Sequence, residues 1–307
     1  MVKVVSVGEV MVELARDADG RFGLAFGGDT FNTAVYLARA GIDTAYASAL
    51  GDDPFSARIL DLATAEGLGT DLILPASGRM PGLYIITTDA RGERSFHYWR
   101  DTAPARDLFE LEGWQGLAQR LVEAGAIYFS GITLSLYSNL GLGRFLAALE
   151  MAGERGAKTV FDGNFRPRGW KGDLNRARAV FAQALKRASM ALPTFEDEAA
   201  LWGDASPQAT IERITTYGVR EVVVKNGSMG ALVHADGVTT LVPVEREVEP
   251  VDTTGAGDSF NAAYLAARLQ GEGPVDAARA GHRLAANVIG HRGAIIPRTA
   301  HMGVSAH

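Results

Sequence analysis

The most informative part of the chain is Asp252-Thr253-Thr254-Gly255-Ala256-Gly257-Asp258-Ser259-Phe260. It opens an apolar-periodic stretch that predicts a helix over 257–269. Glycines at a helix start leave backbone N–H groups accessible to an anion, and the helix dipole favours negative charge there. Because Asp258 falls in the first turn of this helix, its carboxylate would point at the same place.

A phosphate cradle beside a carboxylate is what transfer of a phosphoryl group to an alcohol requires. The cradle steadies the γ-phosphate, while the carboxylate aligns the hydroxyl and accepts its proton. The alternative is that Asp258 only caps a helix and the glycines form a turn, as is common for an isolated Gly-x-Gly-Asp. The Asp-Thr-Thr before it and the Ser-Phe after it favour phosphoryl transfer.

Outward from this stretch, predicted strands alternate with predicted helices. The strands cover 2–8, 43–50, 126–130, 158–161, 190–192 and 221–225. The helices cover 30–39, 54–66, 139–155, 174–187, 195–202, a segment that begins at Ser206-Pro207, 257–269 and 275–289. Such alternation predicts an α/β fold with a mostly parallel sheet and helices on both faces. Since no linker or repeat divides the chain, we expect one domain over 1–307.

Two segments depart from this alternation of strands and helices and have patterns typical of β-hairpins. The hairpins are Val12–Ala15 with Arg21–Phe26 around the turn Asp19-Gly20, and Gly82–Thr88 with Arg94–Arg100 around the turn 89–92. They predict a small antiparallel sheet inserted in the α/β domain, built from about 12–26 and 80–100. We expect this sheet to act as a lid over a site or as the surface of a homo-oligomer.

The composition excludes several classes of protein. The 307 residues carry 30 Lys and Arg against 36 Asp and Glu, a net charge of −6 without a basic run, which argues against nucleic-acid binding. The chain has no cysteine, so disulfides, thiolate metal sites and a cysteine nucleophile are excluded. No apolar run reaches the roughly 20 residues of a membrane span, and no signal peptide is recognisable. We therefore expect a cytoplasmic protein that binds neither nucleic acid nor a membrane.

Other nucleotide-binding motifs are absent from the sequence. It has no G-x-x-x-x-G-K-[ST] loop, no H-R-D catalytic loop and no G-x-G-x-x-G after the first strand. P-loop enzymes, protein kinases and dinucleotide-binding proteins are therefore disfavoured. The six histidines show no metal-ligand spacing.

Across nearly its whole length the chain resembles the ribokinase-like (PfkB) carbohydrate kinases. The resemblance is carried by Gly27-Gly28-Asp29-Thr30-Phe31-Asn32 and by Asp252 to Asp258. Within this family the chain is most similar to the kinases of 2-keto-3-deoxygluconate (KDG), a sugar acid of the Entner-Doudoroff route. The segments of this closer similarity are 26–30, Pro81-Gly82-Leu83-Tyr84, Tyr98-Trp99-Arg100, Asn164-Phe165-Arg166-Pro167-Arg168 and Gly293-Ala294-Ile295-Ile296-Pro297.

The resemblance implies ATP as phosphoryl donor, Mg²⁺ as its partner and specific site residues. Asp258 would be the catalytic base, with the N–H groups of Gly255, Ala256 and Gly257 as the anion hole. The sugar would contact Gly27, Gly28, Asp29, Asn32, Tyr84, Tyr98, Arg100 and Arg166. ATP would contact Asn164, Thr194, Lys225, Gly227, Gly230 and His282 as well as the anion hole. In many relatives the positions of Asp252 and Thr254 help to hold a monovalent cation such as K⁺.

Residue-level physics supports an acidic acceptor. In the second hairpin the side-chain period of two places Phe96, Tyr98 and Arg100 on one face. Arginine binds carboxylates bidentately, and Arg166 falls at the carboxyl edge of the predicted sheet, where such sheets bind ligands. The alternatives are that these arginines are solvated surface charges, that the acceptor is a neutral sugar or nucleoside, or that the protein is a non-catalytic sensor. The intact Gly-Ala-Gly-Asp argues against a sensor.

The chain departs from the family pattern at three places. Thr194 and Asp197 stand where many relatives carry the Asn and Glu that organise the magnesium waters, so the sequence does not specify the Mg²⁺ ligands. His282 replaces an Asn found near the adenine pocket of relatives. Ala294 follows Arg292-Gly293, where some KDG kinases carry an acidic residue.

Overall fold

The computed structural model describes residues 3–16, 20–88, 94–246 and 248–301. The strands are β1 Val4–Val7, β2 Met11–Arg16, β3 Phe22–Gly27, β4 Thr44–Leu50, β5 Ile73–Pro75, β6 Leu83–Thr88, β7 Arg94–Trp99, β8 Ala126–Ser130, β9 Lys158–Asp162, β10 Met190–Ala191, β11 Glu221–Lys225, β12 Ala231–Ala235 and β13 Val238–Val242. The helices are α1 Asp29–Arg39, α2 Pro54–Ala65, α3 Trp114–Val122, α4 Gly131–Leu136, α5 Asn139–Glu154, α6 Leu174–Leu185, α7 Phe195–Trp202, α8 Pro207–Thr215, α9 Ala256–Leu269, α10 Pro274–Ile289 and α11 Arg298–His301. Short 3-10 helices cover Pro104–Asp107, Pro167–Trp170 and Gly227–Met229.

The main sheet has nine strands in the order β13-β12-β11-β10-β9-β8-β1-β4-β5. Every pair from β11 to β5 is parallel, whereas β12 at one edge pairs antiparallel with both β11 and β13. The predicted α/β architecture with a mostly parallel sheet is confirmed. Parallel strands bring their carboxyl ends to one edge of the sheet, which is where a ligand can meet side chains from several strands.

The apolar core lies on both faces of this sheet. Ile127 and Phe129 of β8 pack with α3, α5 and α6, whereas Tyr128 between them packs with α1, α9 and α10. Every residue of β1 and β8 is buried, which explains why both strands are mostly apolar.

Local capping explains where several helices begin. Ser206 accepts a hydrogen bond from the backbone N–H of Ala209 at 3.1 Å, and Pro207 occupies the first helical position of α8. This is the predicted order of cap and proline. Asp53 and Pro54 repeat it at α2.

The second sheet has four strands in the order β3-β2-β6-β7. Each predicted hairpin is present as an antiparallel pair, and the two hairpins are joined by parallel pairing of β2 with β6. Asp19 and the predicted turn 89–92 lie outside the described residues, as does Val2 at the start of the first predicted strand.

The structure also contains elements that the sequence analysis does not predict: α3, α4, α11, β5, and the hairpin β12–β13. Most of them are short, so they offer little periodicity from which to recognise them. Within the described ranges, no helix is both long and apolar enough to cross a bilayer.

Candidate active site

Polar side chains gather where the parallel strands of the main sheet end. Glu9 follows β1, Asp162 ends β9, Thr194 follows β10 and Lys225 ends β11. The amino ends of α1 and α9 lie at the same edge of the main sheet. The four-stranded sheet covers this edge from the other side, and the space between the two sheets is lined by residues that include Met11, Tyr84, Phe96 and Tyr98. We call the enclosed space the main cavity; its volume is about 600 Å³.

The structure brings most of the predicted site residues into the lining of this cavity. These residues are Gly28, Asp29, Asn32, Tyr84, Tyr98, Arg100, Asn164, Arg166, Thr194, Lys225, Thr254, Gly255, Ala256, Gly257 and Asp258. Gly27, Gly227, Gly230, Asp252 and His282 lie outside the lining. A contiguous group drawn from both ends of the chain is what one ligand-binding site requires.

Asp258 lies in the first turn of α9 and faces α1. Its Oδ2 accepts a hydrogen bond from Asn32 Nδ2 at 2.8 Å. Burial and the nearby charge of Asp29 raise the pKa of Asp258 to about 7, although the Asn32 hydrogen bond favours the charged form. A carboxyl group with a pKa near neutrality suits a catalytic base, because it is available unprotonated and still binds a proton well.

The start of α9 combines a glycine in the left-handed conformation with a nearby cation. Gly255 has a φ of +78°, and no side chain caps the helix there. A Cβ at Gly257 would lie 3.7 Å from Lys225 Nζ, so the ammonium group stands beside the N-terminal turn. Lys225 is held by Asn261 Oδ1 at 2.8 Å and by Asp162 Oδ1 at 3.4 Å. Helix dipole and ammonium group together favour an anion at this end of the cavity.

The turn before α1 contains Gly28, one of the residues predicted to contact the sugar. A Cβ at Gly28 would collide with the carbonyl oxygen of Glu9, so only glycine lets the turn pass this close to β1. Asp29 accepts a hydrogen bond from Asn164 Nδ2 at 2.8 Å. Asn164 is predicted to contact the phosphates; its amide nitrogen binds Asp29 in this structure, and the phosphate role stays a prediction.

Strand β7 and the residue after it present the predicted face to the cavity. Phe96, Tyr98 and Arg100 all line it, so the predicted alternation is confirmed. Arg100 Nη2 forms an ion pair with Glu9, a buried carboxylate that the sequence analysis does not assign. The hydroxyl of Tyr84 donates a hydrogen bond to Glu13 in the same sheet.

Arg166 reaches the cavity from the loop after β9. Its Nη1 contacts Asp197 Oδ1 at 2.8 Å, and the arginine side chain remains 55% exposed. Asp197, one of the two positions at which the sequence departs from the expected family pattern around Mg²⁺, is thus the ion-pair partner of Arg166. Burial raises the pKa of the Asp197 carboxyl and Arg166 opposes the shift.

A separate cavity of about 530 Å³ contains the predicted adenine-side residue His282. His282 is buried, its Nε2 lies 3.1 Å from the carbonyl oxygen of Val242, and burial lowers its pKa. Gly227 and Gly230 lie in the turn between β11 and β12, outside both cavities. Their contact with ATP therefore stays a prediction.

Asp252 ties together two loops beside the site. Its Oδ1 accepts the N–H of Thr254 and its Oδ2 accepts the N–H of Gly293, both at 2.9 Å. The predicted monovalent-cation site at Asp252 and Thr254 stays a prediction. Across the described residues, no group of three or more His, Asp or Glu side chains is arranged to hold a metal ion.

Sequence reasoning misses Glu9, Asp162 and Asn261. Glu9 and Asp162 stand at or directly after strand ends, so the rule that ligands bind at the carboxyl edge of parallel strands could have indicated both. Asn261 gave no such signal, because its contact with Lys225 joins positions 36 residues apart.

Comparison with known proteins identifies the family to which the chain belongs. A model of the pfkB family carbohydrate kinases matches residues 1–301. The chain is 42% identical over 306 residues to 2-dehydro-3-deoxygluconokinase of Escherichia coli (strain K12), covering 97% of this chain and 98% of that protein. It is 36% identical over 307 residues to the enzyme of the same name from Haemophilus influenzae, covering 98% of this chain and 97% of that protein.

Among solved structures, a putative ribokinase II from E. coli in complex with ATP and Mg²⁺ is similar with a TM-score of 0.83 at 23% identity. The match covers 96% of this chain and 95% of that chain. The ribokinase-like fold and the similarity to KDG kinases, for which 2-dehydro-3-deoxygluconokinase is another name, are confirmed. Since the family model and these relatives match nearly the whole chain, it belongs to the PfkB family of carbohydrate kinases.

Proposed function

We propose that this chain transfers the γ-phosphoryl group of ATP to the 6-hydroxyl of KDG, giving 2-keto-3-deoxy-6-phosphogluconate. The observation that carries this proposal is the position of Asp258 between an anion-favouring helix start and a cavity lined with sugar-type hydrogen-bonding groups. The high identity to KDG kinases over nearly the full length supports KDG as the acceptor.

In the proposed reaction, Asp258 accepts the proton of the acceptor hydroxyl as its oxygen bonds to the γ-phosphorus. The bond between that phosphorus and the β–γ bridging oxygen breaks, and ADP leaves. The N–H groups of Gly255, Ala256 and Gly257 and the ammonium group of Lys225 stabilise the negative charge that develops on the transferred phosphoryl group.

The acceptor would lie between the turn at Gly28 and the lid. Asn32 and Asp29 offer hydrogen bonds to its hydroxyls, while Arg100 and Arg166 offer N–H donors to its carboxylate. With the acceptor in place, the four-stranded sheet excludes water from the cavity, which protects ATP from hydrolysis.

Mg²⁺ fits the donor set of the main cavity. Glu196 and Asp197 line it with carboxylate oxygens, the ligand type that this cation prefers. When bound together with ATP, the ion would neutralise negative charge on the transferred phosphoryl group. Asp252 and Thr254 remain our candidates for a monovalent cation such as K⁺.

A coupled ADP-release assay with a panel of neutral sugars, nucleosides and sugar acids tests this function. We expect KDG to give the highest kcat/KM. A neutral sugar or nucleoside at the head of the panel would instead identify the enzyme as a kinase of that acceptor, and no ADP release with any acceptor would indicate a sensor.

The Asp258→Asn variant tests the catalytic base. The amide keeps the shape of the carboxylate but does not accept the proton, so we expect kcat to fall by roughly 10²–10⁴-fold. Binding of an ATP analogue, measured by calorimetry, should stay nearly unchanged. Turnover retained within about tenfold would exclude Asp258 as the base.

A further inference from the structure

A third cavity adjoins the sugar end of the main cavity. Its volume is about 400 Å³, and the two cavities share Tyr98, Arg100, Ile132 and Arg166 in their linings. We call it the basic cavity, because its remaining lining includes three further cations. Those cations are Arg106, Arg168 and Lys171, and the lining also contains the acidic residue Asp101.

The two arginines expected to bind the acceptor carboxylate are each paired with an acid already. Arg100 pairs with Glu9, and Arg166 pairs with Asp197 at 2.8 Å. Each pair has no net charge, so its remaining N–H groups can donate a hydrogen bond to a hydroxyl as well as to a carboxylate. These pairs alone would select acids over neutral sugars only weakly.

Arg168 differs from both of these arginines. None of the ion pairs among the described residues includes Arg168, so no carboxylate neutralises its positive charge there. Its guanidinium lies over the ring of Tyr98, with Cζ 5.3 Å from the ring centroid. Tyr98 lines both cavities and Arg168 lines the basic cavity, so this cation lies on the basic-cavity side of a ring that the two cavities share.

The backbone around Arg168 is well anchored. It belongs to the 3-10 helix Pro167–Trp170, and Trp170 at the end of that helix is buried against Phe181, with ring centroids 5.7 Å apart. An anchored backbone and a stacked side chain reduce the entropy lost when the guanidinium binds an anion.

We propose that Arg168 supplies the positive charge that selects a carboxylate-bearing acceptor, while Arg100 and Arg166 orient that acceptor through hydrogen bonds. This inference rests on the proposed function. The carboxylate would then lie at the junction of the main cavity and the basic cavity, with its sugar chain running toward Asp258. Arg168 is thus a specificity-determining residue for an acid over its uncharged analogue.

The test compares Arg168→Gln, Arg168→Lys and the control Arg155→Gln, which removes one charge from an exposed position at the end of α5. For each variant, kinetics gives kcat and KM for KDG and the inhibition constant of its uncharged C1 carboxamide. With Arg168→Gln we expect KM for KDG to rise roughly tenfold, the scale of one charge-assisted hydrogen bond at an exposed site. The inhibition constant of the carboxamide should stay unchanged, kcat should stay within about twofold, and Lys should restore much of the loss.

Three results would overturn the proposal. They are an unchanged KM for KDG in Arg168→Gln, an equal loss for KDG and the carboxamide, and an equal effect of Arg155→Gln. Failure of the proposed function is distinguishable from these, because the unmodified enzyme would then release no ADP with KDG.

Discussion

At the scale of single residues, the pKa of Asp258 links the geometry of the site to pH. Burial and Asp29 hold this pKa near 7, and the Asn32 hydrogen bond keeps it from rising further. A base acts only when unprotonated, so kcat/KM should rise with pH through a midpoint near this pKa and level off above it.

Removing the hydrogen bond to Asp258 should move that midpoint in a known direction. Asn32→Ala takes away a donor that favours the charged carboxylate, so the pKa rises and the midpoint shifts to higher pH, by about one unit. The measurement is the pH profile of kcat/KM between pH 5 and about 9. Asn32 also contacts the proposed acceptor site, so its loss lowers the absolute rate whether or not the pKa of Asp258 changes. The test therefore depends on the midpoint of the pH profile.

Asn139→Ala is the matched control, since Asn139 is exposed at the start of α5, where its Oδ1 accepts a hydrogen bond from Arg176. It should leave the midpoint in place. A profile for Asn32→Ala that is lower at every pH but has the same midpoint would show that Asn32 does not set the pKa of the base.

At the scale of elements, the sequence predicts those features of the fold and the site that are encoded by residues adjacent in the chain. The α9 helix, its glycine-rich start and Asp258 are encoded by adjacent residues and are predicted within one position. The ion pair of Arg100 with Glu9 joins residues 91 positions apart. The parallel pairing of β2 with β6 likewise depends on packing between distant segments, so no local pattern predicts either.

The start of α9 depends on Gly255 for two physical reasons. Its φ of +78° is unfavourable for other residues, and a Cβ there would lie 2.8 Å from the backbone Cα of Ala294. We expect Gly255→Ala to cost about 2 kcal/mol or more of unfolding free energy in urea titrations. It should also lower kcat, because the anion hole must move away from the loop at Ala294.

Gly271, just past the other end of the same helix, provides the control. Its φ is +97°, but a Cβ there would meet no atom within 4 Å. Gly271→Ala should cost about 1 kcal/mol from backbone strain alone and leave kcat unchanged. If Gly255→Ala loses no more stability than Gly271→Ala and keeps its kcat, the contact with Ala294 does not position the anion hole.

At the scale of the whole molecule, the four-stranded sheet has two apolar faces. One face lines the main cavity with Met11, Tyr84 and Phe96. The strand register places a second set of apolar residues on the opposite face, namely Val12, Leu14, Phe22, Leu24, Phe26, Leu83, Ile85 and Trp99. Phe22 is 50% exposed and Trp99 is 59% exposed, as expected for a surface that a partner covers.

We infer that this outer face joins two copies of the chain, as the sequence analysis predicts for the lid. In a symmetric dimer each residue enters the interface twice, so one substitution has a doubled effect. Trp99→Glu removes two large apolar contacts and buries two like charges, and we expect it to weaken dimerisation by at least about a hundredfold. Because Trp99 is exposed within one chain, its replacement should leave the monomer folded.

Sedimentation equilibrium at micromolar concentration measures this outcome, with Leu140→Glu as the control, since Leu140 is 54% exposed on α5, away from the lid. The unmodified chain and the control should sediment as dimers and Trp99→Glu as a monomer. If dimerisation also anchors the lid, dissociation of the dimer should raise KM for the acceptor. A lid that has lost this anchor would close less readily over the cavity. Sedimentation of the unmodified chain as a monomer would contradict the inference, as would a Trp99→Glu dimer of undiminished strength.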